Sequence, residues 1–355
     1  MKIVYLLLPF VLLGCSKNEP AAESRSSKSS TAKEVSSRPK ISFVEGAEGK
    51  EMREIKKQAL TLLTNGDFEG LEALAAKYRA SKEGYADGFW KLTVVYNGLE
   101  PSGNDSDEVW QTRLKRIQDW SKARSETAMP KIALARIMTG YAWKARGGDW
   151  GEKVKDKDWE IFFARLQKAL VHLQETKRLK EQCPLYWSSI QRIALGLQFE
   201  KKQYNAIFAQ AIQQYPDYSS YYTMRANYLL PRWYGEEGEW EKDLAKSADR
   251  IGGESGDVLY ARVVWDMNRQ FSSEVSTIFK ENKSSWERVD KGFGIILKQF
   301  PHSLSAKTER AGLAAMNGER EKARVYFLDT NGDVDLGDWQ GKEDFEKFLN
   351  WAFGP

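Results

Sequence analysis

From about residue 48 onward, apolar residues recur at the spacing of amphipathic helices. The segment REIKKQALTLLTNGDFEGLEALAAKYRAS, residues 53–81, contains two apolar stripes separated by a polar turn at 65–67. Apolar residues three and four positions apart lie on one face of a helix, and a short polar turn joins two antiparallel helices. This segment is therefore predicted to be an αα-hairpin.

The same order of helix, short polar turn and helix occurs in two later segments. They are WSSIQRIALGLQFEKKQYNAIFAQAIQQYPDY, residues 187–218, and SAKTERAGLAAMNGEREKARVYFLDTNG, residues 305–332. No segment shows a convincing strand-like alternation of apolar and polar residues. The sequence therefore predicts an all-α domain over residues 46–355.

The two later hairpins partly match tetratricopeptide units. The matching residues are Leu195, Phe208 and Ala211 in the first and Ala311, Ala323 and Phe327 in the second. Tyr204 stands where Ala is usual, and the second unit lacks the closing Pro. Helix pairs of this kind bury their apolar stripes only by stacking on neighbouring pairs. The expected architecture is a stack of αα-hairpins that forms a degenerate tetratricopeptide-like solenoid.

The first fifteen residues carry a targeting signal. MKIVYLLLPFVLLGC has one Lys and an apolar run that is too short to span a bilayer and is typical of a secretory signal peptide. Its end, LLGC, resembles the lipobox of bacterial lipoproteins, in which the cysteine is acylated and becomes the new N-terminus. The resemblance implies a lipoprotein signal peptide over 1–14 and a membrane anchor at Cys15. The alternative is an ordinary signal peptide cut nearby.

Residues 15–45 are predicted to be a disordered tether. The stretch is rich in Ser and charged residues and has few large apolar residues, so it buries too little surface to offset the entropy of ordering. A flexible chain of about thirty residues reaches roughly 30 Å, which holds a domain clear of a membrane. Ser16 is the residue that, by the lipoprotein resemblance, implies export to the outer membrane, facing the periplasm.

Composition excludes several classes of function. Lys and Arg number 54 against 50 Asp and Glu, without a dominant basic block in the helical part, which argues against a nucleic-acid binder. Cys183, His172 and His302 are far apart in sequence and form no metal-ligand spacing, so neither a metal nor a cofactor is expected. With Cys15 lipidated, Cys183 has no partner for a disulfide within the chain.

The region between residues 84 and 265 resembles an uncharacterised bacterial family of helical, tetratricopeptide-like proteins, domain of unknown function 4034. The segments that carry the resemblance are DGFWKLTVVYNGL, YAWKARGGDW and YLLPRWYGEEGEWE, and the C-terminal NGDVDLGDW continues it. The resemblance implies a helical fold over most of the mature chain. It implies no activity, because the family has no assigned chemistry.

The segment LLPRWYGEEGEWEKDL, residues 229–244, is predicted to be a corner between two helices that borders a binding surface. Pro231 lacks an amide hydrogen and disfavours helix at the preceding residue, so the first helix must end there. Gly235 and Gly238 permit tight turns. Glu236, Glu237 and Glu239 are expected at the start of the next helix, where carboxylates interact favourably with the helix dipole. The candidate binding residues are Arg232, Trp233, Tyr234, Glu237, Glu239 and Trp240.

The same segment allows a catalytic interpretation. Glu239 and Asp243 are one helical turn apart and could serve as acid and base, with Arg232 holding an anion. The alternative function is therefore a hydrolase or lyase that acts on an envelope polymer through the carboxylate and arginine cluster at 232–243.

Two other motifs are interpreted as turns. KARGGDWGEKV, residues 144–154, has a Gly pair but lacks the GK[ST] ending and the preceding strand of a phosphate-binding loop. DTNGDVDLGDWQ, residues 329–340, imitates a calcium loop, but Val334 occupies the position that needs Gly and Gln340 the position of the bidentate Glu.

The function expected from the sequence is that of a lipid-anchored envelope protein whose helical repeats form a binding scaffold for a protein or peptide. A concave solenoid face is the surface on which exposed Trp residues would bind a partner. The other possibilities are the enzyme above and a structural subunit of an assembly, which a large apolar surface patch would favour.

Overall fold

A computed structural model of the protein describes residues 37–179, 182–275, 283–336, 339 and 341–354. Contacts divide the chain into Met1–Ser37 and Arg38–Pro355, and every element below belongs to the second unit. The predicted signal peptide, residues 1–14, and Cys15 lie outside the described residues.

Fifteen α-helices and two short strands make up the described part of the chain, so the prediction of an all-α fold is confirmed. The helices are α1 (Ala47–Asn65), α2 (Phe68–Ser81), α3 (Lys91–Leu99), α4 (Asp107–Ala123), α5 (Ala128–Arg146), α6 (Asp156–Glu175), α7 (Pro184–Gly196), α8 (Lys201–Gln214), α9 (Ser220–Tyr228), α10 (Glu239–Ile251), α11 (Gly253–Val275), α12 (Trp286–Gln299), α13 (Leu304–Met316), α14 (Arg320–Asp329) and α15 (Lys342–Phe353). The strands are β1 (Ser42–Phe43) and β2 (Asp333–Val334).

The three predicted hairpins are the pairs α1–α2, α7–α8 and α13–α14. The first turn shows how the sequence ends one helix and starts the next. Gly66 adopts a left-handed conformation with φ of 73°, and Asp67 caps α2 by accepting a hydrogen bond of 2.9 Å from the backbone N–H of Gly70. Both features are the ordinary signals of a helix end and a helix start.

Alternate helices form an inner row. Helices α3, α5, α7, α9 and α11 each pack against the next member of this row, while α4, α6, α8 and α10 pack outside them. The row returns towards its beginning, because Thr93 on α3 is hydrogen-bonded to Tyr218, just before α9, over 2.6 Å between the two hydroxyl oxygens. The inner helices therefore surround a central space.

The segment between α2 and α3 closes this ring against α9 and α11. Ser219 Oγ donates to the carbonyl of Gly88 over 3.1 Å, and Arg262 Nε donates to the carbonyl of Ala86 over 3.0 Å. Gly88 has φ of 83°, and a Cβ there would lie 2.6 Å from Arg262 Cδ. Only glycine permits this approach without displacing the arginine.

Both ends of the helical domain also meet. Strand β1 pairs in parallel with β2, with Ser42 opposite Asp333. Glu48 at the start of α1 accepts hydrogen bonds from Ser303 and Ser305, 2.5 and 3.0 Å away. The described helices agree with the predicted helical-repeat fold, and this closure adds contacts between distant helix pairs to the neighbour contacts of a solenoid. The tetratricopeptide-like character of the hairpins stays a prediction.

Strand β1 lies inside the predicted tether, residues 15–45, and the folded domain therefore begins before residue 46. Phe43 packs edge-on against Phe345, with ring centroids 5.8 Å apart, and Val44 N donates to Val334 O over 2.9 Å. Sequence periodicity missed the strand because two residues are too few to show alternation. Within the described residues, no helix has the length and apolar character needed to cross a bilayer.

Candidate functional site

A cavity of about 590 Å³ occupies the space inside the ring. Its walls come from one face of each inner helix, from the residues just before α3 and α9, from α8 through Tyr204, and from the corner after α9. The lining residues are Phe89, Thr93, Asn97, Arg136, Thr139, Trp143, Ser188, Ser189, Gln191, Arg192, Leu195, Tyr204, Tyr218, Ser220, Thr223, Met224, Asn227, Arg232, Trp233, Asp266 and Arg269.

Helical periodicity explains why these side chains meet. On α5, Arg136, Thr139 and Trp143 are three and four residues apart and share one face. On α7, Ser188 and Arg192 have the same relation. The other faces of both helices are apolar and buried. Each inner helix therefore packs through its apolar residues and turns its polar stripe into the cavity.

Arg136 is held by the end of α3. Its Nη2 donates to Asn97 Oδ1 over 2.9 Å and lies 2.6 Å from Glu100 Oε1. The contact with Glu100 is an ion pair without hydrogen-bond geometry, since this carboxylate oxygen has no hydrogen-bond partner among the described residues. The positive charge of Arg136 is thus balanced within the protein.

Arg192 differs from Arg136 although it occupies the next inner helix. It lines the cavity, is partly buried, and makes no hydrogen bond or ion pair of less than 4 Å with any described residue. Burial lowers the pKa of its guanidinium, as does the positive charge of Arg136, while Glu100 acts in the opposite direction. Arginine stays protonated in proteins, so Arg192 is a partly dehydrated cation facing an open space.

The opposite wall carries a charge pair. Arg269 on α11 lies 2.5 Å from Asp266 Oδ1, one turn away, and 3.4 Å from Asp87 Oδ2 in the segment before α3. Asp266 is the one carboxylate among the described residues that line the cavity. The pair fixes α11 against the ring closure and leaves little net charge on this wall.

Near Trp233 the wall is aromatic and cationic. The rings of Trp143 and Trp233 are perpendicular, with centroids 5.8 Å apart. Arg146 lies over both rings and over Trp159, at 5.2 to 5.7 Å from their centroids. Burial lowers the pKa of Arg146, and the nearby charge of Arg232 lowers it further. Such a wall suits flat or apolar ligand groups and disfavours cations.

Several polar atoms beside the cavity have no hydrogen-bond partner among the described residues. They are Arg136 Nε, Trp143 Nε1, Gln191 Oε1, Asn227 Oδ1 and Trp233 Nε1. Buried polar groups are usually hydrogen-bonded, because an unpaired one destabilises the fold by about 1 to 3 kcal/mol. Their concentration around one cavity is typical of a binding site rather than of a packed core.

The corner at 229–244 is built much as the sequence predicts. Helix α9 ends at Tyr228, before Pro231, and α10 begins at Glu239 after Gly238, which has φ of 76°. A Cβ at Gly235 would lie 1.9 Å from the carbonyl oxygen of Leu229, so this turn requires glycine. Glu236 and Glu237 lie in the turn before α10, and its first turn contains Glu239 and Glu241 instead.

The six candidate binding residues of the corner separate into two groups. Arg232 and Trp233 line the cavity. Tyr234 stacks on Tyr228, with ring centroids 4.7 Å apart, and donates to Leu195 O over 3.3 Å. Trp240 is 3% exposed and belongs to the core.

Three carboxylates of the corner are paired with basic side chains from elsewhere. Glu237 contacts Lys283, and Glu239 contacts Lys201 and accepts a hydrogen bond of 3.0 Å from the backbone N–H of Glu236. Asp243 binds Arg225 through two hydrogen bonds of 2.8 and 2.9 Å. These carboxylates are not among the residues that line the cavity, whereas Arg232 is.

Sequence reasoning missed Arg136 and Arg192. Both stand inside apolar runs, ALARIM and SIQRIAL, where a charged residue interrupts an otherwise buried helix. That interruption is the available signal, because a buried arginine needs either a partner or a polar cavity. In the described residues no group of three or more His, Cys, Asp or Glu side chains is arranged to hold a metal ion.

The two turn motifs also have structural counterparts. The Gly pair of the 144–154 segment follows the end of α5, and a single 3₁₀ turn, Gly151–Lys153, leads towards α6. Part of the 329–340 segment forms β2, while residues 337, 338 and 340 lie outside the described part of the chain.

Comparisons with protein-family models, with curated proteins and with solved structures found no match for this chain. The resemblance to the uncharacterised helical family therefore stays a prediction.

Proposed function

We propose that the protein is a lipid-anchored binding protein of the bacterial envelope and that its central cavity receives the end of a peptide. The observation that carries this proposal is the cavity of about 590 Å³ lined by the inner helices. Cavities of roughly 300 to 1,000 Å³ are typical of ligand sites, and a folded partner domain does not fit into one. A few residues of extended chain do.

The lining suits a peptide. Hydroxyl and amide groups from Ser220, Thr223 and Asn227 face the same space as the aromatic wall formed by Trp143 and Trp233. Backbone N–H and C=O groups need such polar partners, and apolar side chains need the aromatic wall. The excess of Arg over Asp in the lining favours a ligand with negative charge.

Binding is better supported than catalysis. Acid-base chemistry needs a titratable group within reach of the reacting atoms and with a suitable pKa. Asp266, the carboxylate among the described lining residues, is engaged by Arg269. In the corner, Glu239, Glu237 and Asp243 are paired with Lys201, Lys283 and Arg225, respectively. Carboxylates held in such ion pairs serve as structural anchors and are not free to act as acid or base.

The proposed cellular location of the protein follows from its N-terminal sequence. Acylation of Cys15 would attach the chain permanently to a membrane, because several acyl chains bury many methylene groups. The Ser16 that follows favours the outer membrane, facing the periplasm. Replacing Cys15 with Ala should abolish incorporation of labelled fatty acid and leave the precursor unprocessed, and labelling that persists in this variant would refute the anchor.

The binding proposal is tested by filling the cavity. Ser220 is partly buried and lines it, so Ser220→Trp should obstruct the ligand. Ser125 is exposed between α4 and α5, and Ser125→Trp serves as the matched control. On an array of short peptides and envelope glycans, the full-length protein and the control should bind the same subset of peptides, and the filled variant should bind none. The proposal fails if the filled variant retains that subset.

A further inference from the structure

We propose that Arg192 forms a subsite for a single carboxylate group of the ligand. The inference rests on the proposed function, and it names the chemical group that the cavity recognises. It follows from a comparison of the arginines that line the cavity, each considered with its partners in the protein.

Among the described residues, four arginines line the cavity, and three of them interact with groups of the protein. Arg136 is paired with Glu100, and Arg269 is paired with Asp266 and Asp87. Arg232 lies over the ring of Trp233, with its Cζ 5.6 Å from the centroid, and is exposed at the corner. Arg192 is the member of the set with no hydrogen bond or close ion pair to a described residue.

The number of unbalanced charges limits the charge of the ligand. A cation held away from water without a counter-ion destabilises the protein, and a bound anion removes that penalty. One unbalanced guanidinium matches one negative charge, which is the charge of a carboxylate. A phosphate monoester, with nearly two charges, would need the charge of Arg136 as well, but Glu100 already balances it.

Geometry agrees with this choice. The planar guanidinium donates two parallel hydrogen bonds to the two oxygens of a carboxylate. Ser188, one turn before Arg192, lines the same wall, and its hydroxyl donates within the helix to Leu185 O over 3.2 Å. The open nitrogens of Arg192 are therefore the hydrogen-bond donors that this face of α7 offers to an anion.

Two sources could supply the carboxylate: the free C-terminus of a peptide or the acid group of a sugar. The test uses full-length protein and calorimetric titration with four probes. The first pair is N-acetyl-Ala-Ala-Phe as the free acid and as the C-terminal amide, and the second is glucuronate and glucose. The phenylalanine ring is included to engage the aromatic wall formed by Trp143 and Trp233.

The acid of at least one pair should bind about 10- to 100-fold more tightly than its neutral counterpart, as expected for a charge-assisted hydrogen-bonded pair. This preference should disappear in Arg192→Met and persist in Arg116→Met, which removes an exposed arginine on α4. Arg192→Lys should retain part of the preference, since it keeps the charge but loses the planar pair of donors. Preference for the peptide acid or for glucuronate identifies the source.

Folding is checked separately. Arg192→Met should have an unchanged or higher melting temperature without ligand, because it removes an unbalanced cation.

Three results of the titrations would overturn the inference: equal binding of the acids and their neutral counterparts, no binding of either acid, or a preference for the acid that survives in Arg192→Met. Inorganic phosphate is titrated as an additional probe, and tight binding of phosphate with no binding of the acids also overturns the inference. If the peptide amide binds as well as the acid and Ser220→Trp blocks both, the peptide-binding function stands and the carboxylate subsite is wrong.

Discussion

In the corner at 229–244, Glu237, Glu239 and Asp243 are each paired with a basic side chain from another part of the chain. In the adjoining cavity, Arg192 has no such partner among the residues that the structure describes. The two regions share Arg232 and Trp233, and both contain aromatic and charged residues. The difference lies in whether the protein itself supplies a partner of opposite charge to these four side chains. A structural junction is complete without a ligand, and a binding cavity is not.

Composition alone cannot distinguish these two situations. The corner has the richer sequence, with two Trp, one Tyr and four Glu in sixteen residues, and it attracts attention as a candidate site. The inner face of α7 offers one arginine in an apolar helix. The contacts of these side chains favour the inner face of α7 as the binding site instead, because the carboxylate pairs of the corner lie outside the residues that line the cavity.

The largest expected effect comes from the core of the corner. Trp240 is 3% exposed, and Trp240→Ala should lower the free energy of unfolding by about 3 to 5 kcal/mol through lost burial and a residual cavity. Thermal and denaturant unfolding measure this change. A loss below about 1 kcal/mol would mean that the corner is not held by packing, and the comparison with the cavity would lose its basis.

How far a feature could be predicted from the sequence depends on how far apart along the chain its residues lie. Helix periodicity, the break at Pro231 and the turn at Gly66 were predictable, because each depends on residues close together in the chain. The ring closure was not, since Ser219 with Gly88 and Arg262 with Ala86 join residues that are distant in sequence. The cavity follows from that closure, and so do the roles of Arg136 and Arg192.

The second largest expected loss of stability distinguishes Arg136 from Arg192. Arg136→Met should remove the close ion pair of the largely buried Glu100 and reduce stability by about 3 kcal/mol, near the lower end for broken buried pairs. Arg192→Met should reduce it not at all. Unfolding of both variants in urea, without ligand, gives the comparison directly. If both variants lose stability equally, Arg192 has a structural partner after all, and the distinction between the two residues fails.

The smallest expected changes in stability test whether an unpaired buried charge is by itself enough to identify a binding site. Glu241 on α10 is 5% exposed, its Oε2 has no hydrogen-bond partner among the described residues, and it is not part of the cavity lining. Burial raises the pKa of this carboxyl above 4.5. The folded state then binds the proton more tightly than the unfolded state, so stability falls as pH rises from about 4.5 through the raised pKa.

Glu241→Gln should therefore raise the free energy of unfolding by about 1 kcal/mol at neutral pH, because the variant avoids burying a charge, and the gain should vanish near pH 4.

Glu239→Gln is the matched control. The pKa of Glu239 lies below its usual range, because the hydrogen bonds from Lys201 and from the backbone N–H of Glu236 outweigh the effect of burial. Neutralising Glu239 should cost a few tenths of a kcal/mol at pH 7. Neither variant should alter ligand binding, since both carboxylates lie outside the cavity lining. A loss of binding in Glu241→Gln would extend the site into the corner and remove the boundary drawn between the two regions.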